Sequence, residues 1–521
     1  MPTDNDRLEV FALHGVTPEV MAYAMAKYSR SALSMRAAIS EINGQKAKEF
    51  LNTFYFGYGH RSIADLAHFP MAVENLSLLA AIEVVDEQRW DGQERSTRYQ
   101  DFGKREYYKP AGLTAEESTL YDTAIHRLFD GYEALFAQSL EMFRGEHPQP
   151  QGMDPAAYER TLRARAFDEA RYLLPMATLT SVGQILNART LEGQVSRMLA
   201  SGHAEVRNIA DELRAAASTA PAFNPNEERI DQLLTTLEQA VGGNVDVLRN
   251  LVMPEVVVAP TLLKHAAVNT YKLEVERIVR AELAEIIPSI PSVWGQEYNP
   301  APVALISHPT NVEEEIAATL LYQYSHKSFA YWLDWIVDMS PFGWLPRFMT
   351  KIMTSRGVHD ELLPAFRSSG GFIFDIEMDI GGMRDMHRHR RCIQIAQPYS
   401  LFQYATPEPA WQFLRLMYRT TLSQASQSYE KLRRTLLERG AEATAADYLL
   451  PLAAKRRFLM KMDIAEMAYI AQLRTQPAGH ISYRRVAWGI FKHLEAIAPN
   501  VASGIRNRVT DPDAPLDFFK R

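Results

Sequence analysis

The sequence predicts a helix-rich α+β protein in which one architecture is present twice. Three observations lead there: an ordered internal repeat, one strand with strict alternation, and helical spacing of apolar residues over much of the remainder. The repeat is clearest where Ala170-Arg171-Tyr172-Leu173-Leu174-Pro175 is set against Ala446-Asp447-Tyr448-Leu449-Leu450-Pro451. Downstream of the first copy come Asn187-Ala188-Arg189, Arg197 and His203; after the second, at matching distances, come Asp463-Ile464-Ala465, Arg474 and His480. Upstream, Lys27-Tyr28-Ser29-Arg30-Ser31 is echoed by Gln323-Tyr324-Ser325-His326-Lys327-Ser328, and helix-like runs end at Gly59-His60 and at Gly357-Val358-His359. Leucine, alanine and proline patches recur in any helical protein, but several matches in one order point to duplication.

The elements follow in chain order. Leu78, Ile82 and Val85 have helical spacing ahead of Asp86-Glu87. The stretch from Phe223 to Thr310 holds two helix-like segments, a Gly242-Gly243 break and a proline-spaced run from Ile287 to Pro302, which reads as an extension and a linker. The domains are therefore expected at 1–222, 223–300 and 301–521, the middle one being the helical extension and linker. From Phe372 to Ile380, Phe372, Phe374, Ile376, Met378 and Ile380 alternate with Ile373, Asp375, Glu377 and Asp379, a strand with one buried and one acidic face. Tyr469 and Leu473, with Met462 and Glu466 further up, read as one helix.

A chain of 521 residues, 47% hydrophobic and 23% charged, buries more than one core, which excludes a disordered tail or a single small module. A net charge of -7 argues against a protein held mainly by nucleic-acid phosphates. The lone cysteine, Cys392, excludes an intramolecular disulfide and a cysteine-rich zinc site, and no metal is expected. Met1 to Val10 lacks the layout of a secretory signal, and apolar runs such as 255–259 fall short of the roughly 20 residues a bilayer requires. The expectation is a cytoplasmic protein without a membrane partner.

Two segments carry candidate chemistry. In the first, six of the eight positions from Arg384 to Arg391 are basic. If a helix begins after Gly381-Gly382, Arg384, Arg388 and Arg391 share one face and His389 points away, so guanidinium forks grip phosphates while an imidazole faces something else. A phosphate-bearing cofactor satisfies this; so does a solvated basic face or a nucleic-acid patch. In the second, an Asp91-Gly92 turn precedes Gln93-Glu94-Arg95-Ser96-Thr97-Arg98-Tyr99, where Glu94 is able to accept sugar hydroxyls and Ser96 and Arg98 to donate to a phosphate. A surface loop of mixed charge reads equally well from composition. Asp86-Glu87-Gln88 reads as a solvated helix face rather than a pocket.

These residues resemble the flavin-dependent thymidylate synthases, whose signature is Arg-His-Arg, seven residues, then Ser, within a pattern ending Asn-Glu-x-Ser-x-Arg-Tyr. A Gly-His-x-Ser/Thr segment precedes it and an Arg-x-x-Leu-Pro helix follows. The pieces are divided here. The first half keeps Gly59-His60-Arg61-Ser62, Glu94, Ser96, Arg98-Tyr99, Arg171 before Leu174-Pro175, Asn187, Arg189 and His203, but has Asp86-Glu87-Gln88 in place of Arg-His-Arg. The second keeps Arg388-His389-Arg390, Arg474 and His480, but has Pro398 for the serine and Asp447 for the helix arginine.

The resemblance implies two tandem copies of that family's fold, with a small antiparallel sheet in each. It implies methylation of dUMP, or a related pyrimidine nucleotide, to dTMP with FAD as cofactor and NADPH and methylenetetrahydrofolate as co-substrates. Arg388, His389 and Arg390 would hold FAD, with Asn187, Arg189, His203, Arg474 and His480 around the ring or the folate pocket. Glu94, Ser96, Arg98 and Arg171 would hold the nucleotide. The family's sites form between subunits of a homotetramer, so complementary loss in two fused halves implies a homodimer imitating that tetramer. No protein nucleophile is implied, although arginines beside Cys392 would favour its thiolate. The alternative is a non-catalytic nucleotide- or flavin-binding descendant, and damaged motifs suit it.

Overall fold

The structure is a computed structural model that describes residues 17–27, 35, 61–219, 227–241, 258–259, 262–263, 266–289, 301–357, 360–367, 370–399, 408–515 and 517–519. Tyr28 to Ser31, Gly59, His60, Gly242, Gly243, Val358 and His359, and the proline run from Ile290 to Pro300, lie outside the described residues. The chain forms two compact units. One takes residues 1–74, 83–93 and 182–284; the other takes 75–82, 94–181 and 285–521.

The same order of elements occurs twice. Strand β1 (His68–Ser77) runs directly into the helix Leu78–Val84, as β5 (Phe372–Asp379) runs into the helix Ile380–Met386. A short strand follows each, β2 (Asp91–Glu94) and β6 (Ile393–Ala396), then a long helix, Ala115–Glu146 and Gln412–Glu438. The first copy adds the helix Pro155–Ala170 at this point, and each copy then passes through a 3-10 turn into a strand, β3 (Leu179–Asn187) and β7 (Lys455–Met462). Helices Ala188–Leu199 and Ala204–Ser218 close the first copy, and Ile464–Arg474 and Ile481–Ile497 occupy those places in the second. The sheet orders agree, β1-β3-β2 and β5-β7-β6, with β4 (Val303–Ser307) added beside β5. The expected helix-rich α+β class, duplicated and with small antiparallel sheets, is what the chain adopts. Among the described residues no helix is long and apolar enough to cross a membrane.

The repeat that announced the duplication pairs with itself. Pro175 stands opposite Pro451 in an antiparallel bridge. Around it Met176 N donates to Leu450 O at 2.8 Å and Leu452 N to Leu174 O at 2.9 Å; further out, Ala177 N donates to Tyr448 O and Ala453 N to Tyr172 O, both at 3.0 Å. Each bond has a mate with the copies exchanged, a local twofold. Proline lacks an N–H, so a proline at the centre of this ladder leaves no donor stranded.

In β5 the side chains of Phe372, Phe374, Ile376 and Met378 are buried, as the alternation predicts. They join Phe366, Phe458, Ile470 and Phe491 in the core of the second copy. On the other face Asp375 and Glu377 pair with Arg457 at 3.1 and 2.9 Å across the β5–β7 register. Asp379 departs from the predicted acidic face: it is buried, and its Oδ1 accepts from Gly382 N, capping the next helix.

Three local readings are corrected. That helix starts at Ile380, with both glycines inside it, and ends at Met386, so Arg388 and Arg391 do not share a helix face with Arg384. Gly382 is favoured by space, since a Cβ there would stand 2.7 Å from Ser482 Oγ. Met462 ends β7 and Asp463 caps the helix that holds Glu466, Tyr469 and Leu473; the last two face solvent. Asp91-Gly92 is strand and not turn: a Cβ on Gly92 would come 2.1 Å from the Gly183 carbonyl oxygen. The two helices expected after Phe223 are Glu227–Val241 and Thr270–Ile286.

Candidate functional site

The second unit gathers three arginines, two from the first half of the sequence and one from the second. Arg384 lies on the short helix Ile380–Met386, and its Nη2 donates to Glu94 Oε1 at the end of β2, while Nη1 reaches Thr97 Oγ1 at 3.4 Å. Arg98 is clamped by Asp168, Nε to Oδ1 at 2.6 Å and Nη2 to Oδ2 at 3.0 Å, and its Nη1 donates to the Tyr483 hydroxyl at 3.0 Å. Ser96 Oγ accepts from Arg98 N at 3.3 Å, so it orients the loop in this state. Arg171, at the end of the helix Pro155–Ala170, is 1% exposed. Its nearest carboxylate is Asp385 at 3.8 Å, and its Nε and Nη2 are buried without a hydrogen-bond partner.

Burial sets the electrostatics. It opposes ionisation of Asp168, but the Arg98 guanidinium outweighs it and holds the carboxyl below the usual carboxylate range. Burial, then the charge of Arg171, pushes His480 down to about 3, so its ring is neutral at pH 7. His480 Nε2 therefore donates to the Asp168 carbonyl at 3.2 Å, and Nδ1 accepts from Ser482 N at 3.2 Å and from the Tyr172 hydroxyl at 3.4 Å. His480 thus holds the Asp168 backbone while Asp168 holds Arg98.

The Arg-His-Arg segment is arranged differently from the sequence expectation. His389 is buried; Nδ1 donates to Glu466 Oε1 at 2.9 Å and Nε2 accepts from Arg474 Nε at 2.8 Å. Burial keeps the ring below its ordinary pKa, consistent with a neutral ring between a carboxylate and a guanidinium. Arg388 is exposed and Arg390 half-buried, while the guanidinium of Arg391 reaches Glu361 at 3.3 Å. Cys392 is buried, and burial followed by Glu466 and Asp463 raises its thiol, which overturns the expected thiolate.

Asn187, Arg189 and His203 belong to the first unit. Asn187 caps the helix Ala188–Leu199, Arg189 pairs with Asp65 at 3.1 Å, and His203 precedes the helix Ala204–Ser218. The Asp86-Glu87-Gln88 replacement is more than a solvated face: Glu87 Oε1 accepts from Arg197 Nε at 3.0 Å, with Glu83 and Asp86 beside it. Glu87–Arg197 occupies in the first copy the place that His389–Arg474 occupies in the second. Asp168, Asp385, Tyr483 and Glu466 were missed as site residues; Asp168 alone left a signal, standing one helical turn before Arg171.

The family described as thymidylate synthase complementing protein matches residues 13–222 and again 305–500. The chain belongs to that family. The two matched regions coincide with the two copies seen in the fold. Among full-length relatives, a UPF0159 protein of Chlamydia pneumoniae is 26% identical over 94% of this chain and 90% of its own. Another of Thermoplasma acidophilum is 21% identical over 94% and 95%. A flavin-dependent thymidylate synthase of Clostridium tetani is 24% identical over 199 residues, 38% of this chain and 76% of its own. A solved UMP/dUMP methylase from Streptomyces cacaoi, bound with 5-Br dUMP, aligns over 40% of this chain and 97% of its own at 14% identity and TM-score 0.32.

Proposed function

We propose that this family member reductively methylates dUMP, or a closely related pyrimidine nucleotide, to dTMP, at a composite site. First-half residues grip the nucleotide and second-half residues hold FAD. The observation that carries this reading is Arg171, a fully buried guanidinium with two unpartnered nitrogens, whose charge acts with that of Arg98 on Asp168 and which lies 3.8 Å from Asp385. Leaving such donors unsatisfied costs about 1–3 kcal/mol each. A nucleotide phosphate would take up that deficit through charge-assisted bonds.

On this reading Asp168 keeps Arg98 in a fixed orientation and His480 keeps Asp168 in place, so the phosphate grip is pre-organised. Glu94 exchanges Arg384 for a sugar hydroxyl when nucleotide enters, which turns Arg384 toward the anion. The exposed Arg388 fits a cofactor phosphate, with Arg390 beside it; both ring nitrogens of His389 are engaged, which suits a brace that aims Arg474 and does not suit a direct flavin contact. The chemistry a bound flavin supplies is hydride transfer, with NADPH as reductant and methylenetetrahydrofolate as one-carbon donor. The active assembly is a homodimer standing in for the tetramer.

The test is dTMP formation by purified protein supplied with FAD, NADPH, methylenetetrahydrofolate and dUMP, beside dUMP binding measured by calorimetry. Turnover supports the proposal. Binding of dUMP without turnover selects the non-catalytic descendant, and absence of both overturns the site.

A further inference from the structure

Two arginines with different duties meet at one aromatic ring. Tyr483 stands in the first turn of the helix Ile481–Ile497 and is 4% exposed. Its hydroxyl accepts from Arg98 Nη1 at 3.0 Å, and the guanidinium of Arg474 lies 5.6 Å from the centroid of its ring. That is within the distance at which a cation is drawn to a π face. Arg98 belongs to the nucleotide grip and Arg474 to the brace built on His389, so Tyr483 touches both.

The local sequence leaves the ring little freedom. His480 caps the helix through Ser482 N, and Ser482 Oγ donates to the buried Asp379, which fixes the turn that carries Tyr483. Gly479 makes room for the ring: a Cβ there would stand 2.7 Å from Tyr483 Cε2 and 3.0 Å from its hydroxyl oxygen.

The contacts continue outward on each side. Arg98 is held by Asp168, and its Nη2 also donates to Ala478 O at 3.1 Å. Arg474 Nε donates to His389 Nε2, while its two Nη nitrogens make no hydrogen bond to any described residue. An unbroken series therefore runs from Asp168 through Arg98, Tyr483, Arg474 and His389 to Glu466. Asp385 is a second group felt at both ends, since its charge acts on Arg98 and on His389.

We propose that Tyr483 is a positioning residue that couples the two halves of the composite site, so that cofactor held on the Arg474 side strengthens nucleotide binding on the Arg98 side. The inference rests on the composite-site reading above. A cofactor that orders Arg474 settles the ring beneath it, and the hydroxyl then offers Arg98 a fixed acceptor. The nucleotide meets a grip that is already ordered, so its binding loses less conformational entropy. Coupling between two sites is reciprocal, so dUMP tightens FAD by the same factor. Removing the hydroxyl cuts the series at Arg98 and leaves the ring in place for Arg474.

Calorimetric titration of dUMP into the full-length protein, with and without saturating FAD, measures the coupling. In wild type FAD should tighten dUMP about fivefold or more. In Tyr483→Phe that factor should fall below about twofold, while affinity for FAD alone stays within about twofold of wild type and far-UV circular dichroism stays native. General loosening of the fold would weaken both ligands and leave the factor unchanged, so the factor separates positioning from a merely structural role. Arg474→Gln cuts the series on the cofactor side and carries the test if Tyr483→Phe fails to fold; its dUMP affinity without FAD should match wild type, and the factor should again be lost. A wild type that does not bind both ligands overturns the composite-site reading and this inference with it. Binding of both without coupling, or coupling undiminished in folded Tyr483→Phe, overturns the role of Tyr483 alone, and the second of these assigns the coupling to the charge of Asp385.

Discussion

The neutral, buried His480 makes a quantitative prediction about acid stability. Its folded pKa of about 3 lies below the ordinary 6.5. The unfolded chain therefore binds a proton that the folded one refuses, and the stability contribution is complete above pH 6.5 and lost as pH falls toward 3. At about 1.4 kcal/mol per pH unit, moving from pH 6.5 to 4 removes about 3 kcal/mol through this one ring. Glu169 works the other way: its folded pKa of about 7 exceeds the ordinary 4.5, so it adds stability as pH falls over much of the same range. Wild-type stability alone would thus show little net slope from the two together. The informative quantity is the difference between wild type and His480→Gln, since Gln supplies a donor for the Asp168 carbonyl and an acceptor for Ser482 without titrating. Urea midpoints at pH 7, 6, 5 and 4 measure it. The advantage of wild type should shrink by about 3 kcal/mol between pH 6.5 and 4. An advantage that stays flat or grows as pH falls would refute a buried neutral imidazole at this position.

Other perturbations test neighbouring contacts. Asp168→Ala leaves Arg98 buried without its carboxylate and should cost about 3–5 kcal/mol in chemical denaturation, with dUMP affinity falling in whatever protein remains folded. Arg171→Ala should weaken dUMP about 10- to 100-fold in protein that remains folded; calorimetry reads the affinity, and far-UV circular dichroism checks that the variant is folded. Phe374→Ala, in the core of the second copy, should cost about 3–5 kcal/mol, again by denaturation. Cys392→Ser should leave flavin and nucleotide binding intact, and the native thiol should react with a thiol reagent only after unfolding; rapid reaction in the native state would contradict its burial.

Legibility from sequence divided along the line between local and distant interactions. The duplication was readable because its signal is a repeated string, and the strand Phe372–Asp379 because alternation is a local consequence of the pleat. The start of the next helix was misplaced because Asp379 caps it, which draws Gly381 and Gly382 inside; Ser482, the neighbour that excludes a side chain on Gly382, is a hundred positions on. Cys392 was misjudged for a related reason. Adjacent arginines suggested a positive environment, yet Arg391 turns to Glu361, and burial, followed by the negative charges of Glu466 and Asp463, disfavours the thiolate. Glu94, Arg98 and Arg171 were nameable by motif, but their partners Arg384, Asp385 and Tyr483 come from the other copy, and no local pattern encodes a contact across such separations.

The central claim is that the two halves together make one site for nucleotide and flavin. Its most direct test is the absorbance spectrum of the FAD-loaded protein, recorded before and after dUMP, in wild type and in Arg171→Ala. Retained flavin whose spectrum shifts with dUMP in wild type, and does not shift at the same dUMP concentration in the variant, is the result predicted. Failure to retain FAD at generous excess, or a flavin spectrum indifferent to dUMP in wild type, would contradict it.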